Sequence, residues 1–160
     1  MRIVNLVLFL ILIGAGIYKW MPENTEFSGT RWSCNELSTG FTSAPYEKYQ
    51  EILERDLFDF ASSSNLTLYQ SGELVFKNGE REKYELLYEL GYKTVAKNKI
   101  SLVYKKIDWH RQPKNAPIFI RDIESLKGFE FDLKYMIDDD QLYFQNRIKN
   151  EDKNFVCFAS

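Results

Sequence analysis

From Tyr84 to Lys106 apolar residues return at every second position, and that alternation restricts the fold more than any other feature of the chain. Tyr84, Leu86, Tyr88 and Leu90 share one face of the first run, and Ile100, Leu102 and Tyr104 share one face of the last. A period of two, interrupted at Gly91 and again at Lys97-Asn98-Lys99, predicts three antiparallel strands joined by tight turns, each half buried and half wet. Such a meander leaves an apolar face and two edges uncovered. The rest of the chain must therefore supply strands that close it.

Further strands are legible on both sides. Leu66 to Tyr69 and Glu73 to Phe76 read as short strands around Ser71-Gly72, and Asn78-Gly79 reads as the turn into the meander. Downstream, Phe129 to Ile137 alternates cleanly, Asp138-Asp139-Asp140 turns the chain, Gln141 to Gln145 returns, and a turn over Lys149 to Lys153 leads into a last strand at Phe155 to Phe158. Two helices are expected. Ser43 and Pro45 suit a helix start, and Tyr46, Tyr49, Leu53, Leu57 and Phe60 follow at steps of three and four, predicting an amphipathic helix laid as a lid on the sheet. A short helix is expected from Ile118 to Leu126, after a loop from Asp108 to Pro117. With one strand near Trp32, the reading is mainly β: a small antiparallel barrel of about eight strands with one amphipathic helix.

Of the 160 residues, 16% are aromatic, which suits pleated surfaces, and the net charge of −2 gives no basic field for direct binding to nucleic acid. Ile3 to Tyr18 carries no charge and would span roughly 24 Å as a helix. With Lys19 and Trp20 placed to reach the interface, residues 1–21 are read as an N-terminal transmembrane anchor. A cleaved secretory signal ending near Gly14-Ala15-Gly16 is the alternative. Either reading exports residues 22–160 as one periplasmic domain, held by the first at the inner membrane. In that compartment the only two cysteines, Cys34 near the start of the exported part and Cys157 near its end, are expected to form a disulfide joining the first strand to the last.

Catalytic patterns are missing from the sequence. His110 is the only histidine and sits among charged residues, no serine-elbow motif accompanies it, and no CxxC pair, glycine-rich phosphate loop or calcium-loop spacing occurs. A non-enzymatic protein with no metal and no cofactor is expected. A barrel of this size either fills its interior with side chains or holds one apolar ligand. The residues that alternation places toward such a chamber are Leu68, Tyr84, Leu86, Tyr88, Leu102, Tyr104, Phe131, Leu133, Tyr135 and Tyr143, for each of which ordinary core is the simpler reading.

The layout as a whole, from the short start and single membrane segment through Arg31-Trp32-Ser33, the Tyr- and Gly-bearing meander and the terminal aromatic strand, resembles the small ToxS-type membrane proteins. The cysteine pair directs the likeness to their VtrC-like and FidL-like branch. The resemblance implies a lipocalin-like barrel that heterodimerises with the periplasmic domain of a ToxR-type, VtrA-like transcription activator. It also implies that the pair binds a bile salt in an apolar chamber and so promotes transcription of virulence genes such as those of type III secretion. A stand-alone exported binder of lipids, or an inhibitor of cell-wall hydrolases, is the alternative on the same scaffold.

Overall fold

The computed structural model describes residues 26–148 and 151–160; the expected anchor over residues 1–21 lies outside them, as does part of the expected turn over residues 149–153. Eight antiparallel strands follow in order around a closed barrel: β1 (Arg31–Thr39), β2 (Tyr49–Asp59), β3 (Asn65–Phe76), β4 (Arg81–Ala96), β5 (Lys99–Arg111), β6 (Glu130–Asp138), β7 (Gln141–Ile148) and β8 (Glu151–Ala159). One helix, α1 (Pro117–Glu124), lies between β5 and β6. Among the described residues no helix is long and apolar enough to cross a membrane.

The turns obey the chemistry that the sequence offers them. Gly79, Asn98 and Asp139 take φ values of 88°, 59° and 50° at the β3–β4, β4–β5 and β6–β7 connections, the left-handed conformation that Gly, Asn and Asp tolerate best. Gly91 and Gly72, by contrast, turn nothing. The meander is two long strands, β4 and β5, rather than three, and the two short strands expected around Ser71-Gly72 are the single strand β3. Gly72 is there for close approach: a Cβ at this position would overlap the Leu53 carbonyl oxygen and the ring of Tyr84. β5 also runs on to Arg111, through much of what read as a loop from Asp108 onward.

The predicted lid helix is a strand. Its start survives only as a turn, in which Tyr46 and Glu47 donate backbone hydrogen bonds to the Ser43 carbonyl, and the chain then extends as β2. The register opposite β1 and β3 puts Ile52, Glu54, Asp56 and Phe58 on the inner face and Leu53, Arg55 and Leu57 on the outer. Two acids inside and two leucines outside reproduce the polar and apolar faces of a helix. The short helix after the loop does form, with Pro117 in its first turn and Phe119 buried against Tyr84, ring centroids 5.0 Å apart, and near Trp109 at 6.5 Å.

The barrel is sealed unequally along its length. Near Arg31 it is tight: Phe27, from the segment leading into β1, stacks on Phe60 at 4.6 Å and meets Tyr135 edge-on at 4.7 Å, and Phe58 reaches Phe144 of β7 at 5.5 Å. Tyr92 and Tyr135 close this end with polar tips, donating to the Ser62 carbonyl at 2.6 Å and to Glu26 Oε2 at 2.7 Å. Toward the other end, β1 and β8 pair only through Trp32, Ser33 and Cys34, and the disulfide Cys34–Cys157, with Cα atoms 4.2 Å apart, stands where the pairing stops. Residues 35–39 of β1 pair with β2 alone, and residues 151–156 of β8 with β7 alone. The wall there is split. β6 likewise pairs with only residues 99–103 of β5, and α1 packs at this looser end.

Candidate functional site

Nine of the ten residues that alternation placed inside do face inward together. Leu68, Tyr84, Leu86, Tyr88, Leu102, Leu133 and Tyr135 are buried, and Tyr104 and Phe131 pack against them, Tyr104 lying 5.3 Å from Tyr88 and 5.6 Å from Phe131 between ring centroids. Tyr143 does not belong with them. It pairs with exposed Met136 on the outer face and donates to Gln141, while Phe144 beside it fills the interior. The alternation of β7 was read one residue out of phase, and a one-residue slip exchanges the two faces.

Within this aromatic lining lies an acidic group of Glu36, Glu54 and Asp56, of which Glu54 and Asp56 fall in the segment expected as the lid helix. In the register, Glu36 of β1 stands directly opposite Glu54 of β2, and Asp56, two residues along β2 on the same face, stands opposite Cys34. Tyr84 donates to Glu54 Oε2 at 2.9 Å, and Tyr88 donates to Gln70 Oε1 at 2.8 Å, Gln70 facing Asp56 from β3. Asp56 Oδ1 is fully buried and accepts no hydrogen bond. Burial above all, then repulsion from Glu54 and more weakly from Glu36, pushes the Asp56 carboxyl up to about 8, against the lowering effect of a hydrogen bond with Gln70. Burial likewise pushes the phenols of Tyr84, Tyr88 and Tyr104 well above their ordinary range, reinforced in each case by the nearby carboxylates.

The chemistry open to this arrangement is proton uptake and polar contact inside an apolar shell. Among the described residues, no three His, Cys, Asp or Glu side chains are grouped so as to hold a metal ion. His110 is exposed near the end of β5, beside a shallow outer groove that also touches Tyr69 and Leu57. A different trough crosses β1 to β4, lined among others by Asn35, Leu53, Arg55, Gly72 and Lys83, and it reaches the unpaired edge of β1, where Leu37 is 59% exposed. No family model matches the chain, and no curated protein matches it.

Proposed function

We propose that this protein is the periplasmic, membrane-anchored co-receptor subunit of a ToxR-type transcription activator, and that the pair senses bile salts through the barrel interior. The observation that carries the reading is the split wall. Residues 35–39 of β1 form a strand edge beside an exposed leucine, and an extended segment of a partner can add to such an edge through backbone hydrogen bonds. The interior on this reading supplies what an anionic steroid needs, an apolar wall with phenolic tips at Tyr84, Tyr88 and Tyr104. Side chains fill that interior, so ligand entry requires the β1–β8 split to widen or α1 to lift, and a partner strand seated in the split is the means of holding it open.

The test is co-purification of the full chain with the full activator, followed by light scattering, for the native sequence and for Leu37→Lys. A charge at an exposed edge position discourages strand addition without touching the core. A one-to-one complex that Leu37→Lys weakens by about tenfold or more supports the reading, since one lost apolar anchor with a charge in its place is worth more than 1.4 kcal/mol. A full chain that stays monomeric beside the activator refutes it and leaves the stand-alone binder.

A further inference from the structure

On the outer face of the barrel, away from the interior and from the β1–β8 split, the β4–β5 hairpin overhangs β6 and β7 and encloses a cleft of about 610 Å³. Beyond the β5–β6 ladder that begins at Lys99, the hairpin tip is held by a backbone bond from Tyr135 N–H to the Asn98 carbonyl at 3.0 Å. The cleft has the size of a small-molecule pocket. The apolar residues along it are Ala96, Met136, which is 52% exposed, Tyr143, and the buried Tyr135 and Phe144. Lys97, Lys99 and Lys134 line it as well, and among the described residues no carboxylate does.

Two of those lysines occupy an unfavourable arrangement. Lys99 and Lys134 are direct cross-strand partners on β5 and β6, where like charges destabilise a sheet. Asp132 relieves this in part by pairing with Lys99 at 2.6 Å from the side away from the cleft lining. Lys97 adds a third cation from the hairpin, in a protein whose net charge is −2. A cluster of cations around an apolar cleft, built at a cost to the sheet, fits an anion whose body is apolar.

We propose that this cleft binds a monoanionic amphiphile, with its carboxylate or sulfonate between Lys97, Lys99 and Lys134 and its hydrocarbon against Met136 and Tyr143. This site is separate from the barrel interior and does not rest on the co-receptor reading. A bound anion offsets part of the repulsion between the opposed Lys99 and Lys134, so binding also tightens the β5–β6 seam, which like β6–β7 is a ladder of only five residue pairs.

Methionine methyl resonances give a direct readout, because the chain has only three methionines and Met136 is the only one beyond residue 21. The full chain, carrying ¹³C-methyl methionine and held in lipid nanodiscs, is titrated with decanoate below its micelle concentration and, separately, with decanol. The expected result is a saturable shift of the Met136 methyl with decanoate, weakened at least about tenfold in the Lys97→Gln/Lys134→Gln double variant through loss of charge-assisted contacts. Decanol binding, lacking the head group, is expected to be indifferent to that double variant. The proposal is overturned if Met136 does not respond, if decanol and decanoate lose affinity equally in the variant, or if decanoate moves interior tyrosine resonances and leaves Met136 in place.

Discussion

Replacing Asp56 by Asn tests the electrostatics of the barrel interior most directly. Asp56 is faced by Glu36 from β1, by Glu54 on its own strand, by Gln70 from β3 and by the phenols of Tyr84, Tyr88 and Tyr104 from β4 and β5. Among the described residues, no cation is among the groups that perturb it. Its carboxyl is held up to about 8 against an ordinary value of 3.8, and at about 1.4 kcal/mol per tenfold difference in proton affinity, ionising it in the folded chain costs on the order of 5 kcal/mol. Because the folded value is the higher one, the stabilisation is complete below about pH 4, drains as pH rises, and is gone once the folded carboxyl ionises near pH 8. The Asn variant keeps the shape and never carries the charge. Denaturant unfolding of both proteins, followed by tryptophan fluorescence from Trp32 and Trp109, is therefore expected to give curves whose separation grows by several kcal/mol in favour of Asn between pH 5 and pH 8. Glu54→Gln, which removes the larger repulsion while keeping an acceptor for Tyr84, is expected to lower the Asp56 value, so that the loss of stability ends at a lower pH and is smaller than in the native protein. Parallel pH profiles for the native and Asn proteins would refute the argument outright.

The remaining predictions concern what holds the wall together. Reducing the disulfide, or replacing Cys34 and Cys157 by Ala, opens a loop of 123 residues and is expected to lower unfolding stability by roughly 4 to 5 kcal/mol on the chain-entropy account, read from thermal unfolding with and without reductant. Gly72→Ala forces a methyl into the Leu53 carbonyl and the Tyr84 ring and is expected to cost about 1 to 3 kcal/mol or more. Gly91→Ala meets first the mobile end of Lys105, at 2.7 Å from Cε, and is expected to change stability by less than about 1 kcal/mol, so one pair of denaturation curves separates a packing glycine from a tolerant one. Phe119→Ala removes the aromatic seal between α1 and Tyr84 and is expected to cost about 3 to 5 kcal/mol, with faster hydrogen exchange at the looser end of the barrel as a second readout.

The barrel itself was legible because β4 and β6 each bury one face and wet the other along most of their length, so period two survives in the sequence. The inner lining followed from that alternation, except at Tyr143, where β7 carries large side chains on both faces and the phase is ambiguous. What the alternation hid was β2. Glu54 and Asp56 point inward while Leu53 and Leu57 point outward, so the local pattern contradicts the burial that tertiary structure imposes. The same two acids are the centre of the interior site, and the signal that misassigned the strand is thus the one that marked it. A glycine read as a turn proved equally misleading: Gly72 and Gly91 lie mid-strand, where the absent side chain makes room for a neighbour. The segments expected as strands number nine; two pairs of them merge into β3 and β4 and the supposed helix adds β2, which leaves the eight strands of the barrel.

The seam of β1 with β8 also sets the order of events when the chain is made. Its three residue pairs join the two ends of the described barrel, and they are the strand pairings of greatest sequence separation in it. A chain emerging amino end first can assemble β1 through β7 one hairpin after another, each contact local and quickly made. Only when residues 157–159 arrive can the sheet become a cylinder. Until then β1 waits with its outer edge bare, which is the interval when edge-to-edge association with another copy competes with folding. Oxidation of Cys34 with Cys157 ends that interval irreversibly on the folding timescale, which makes thiol oxidation, rather than strand formation, the step that commits a molecule to the closed form.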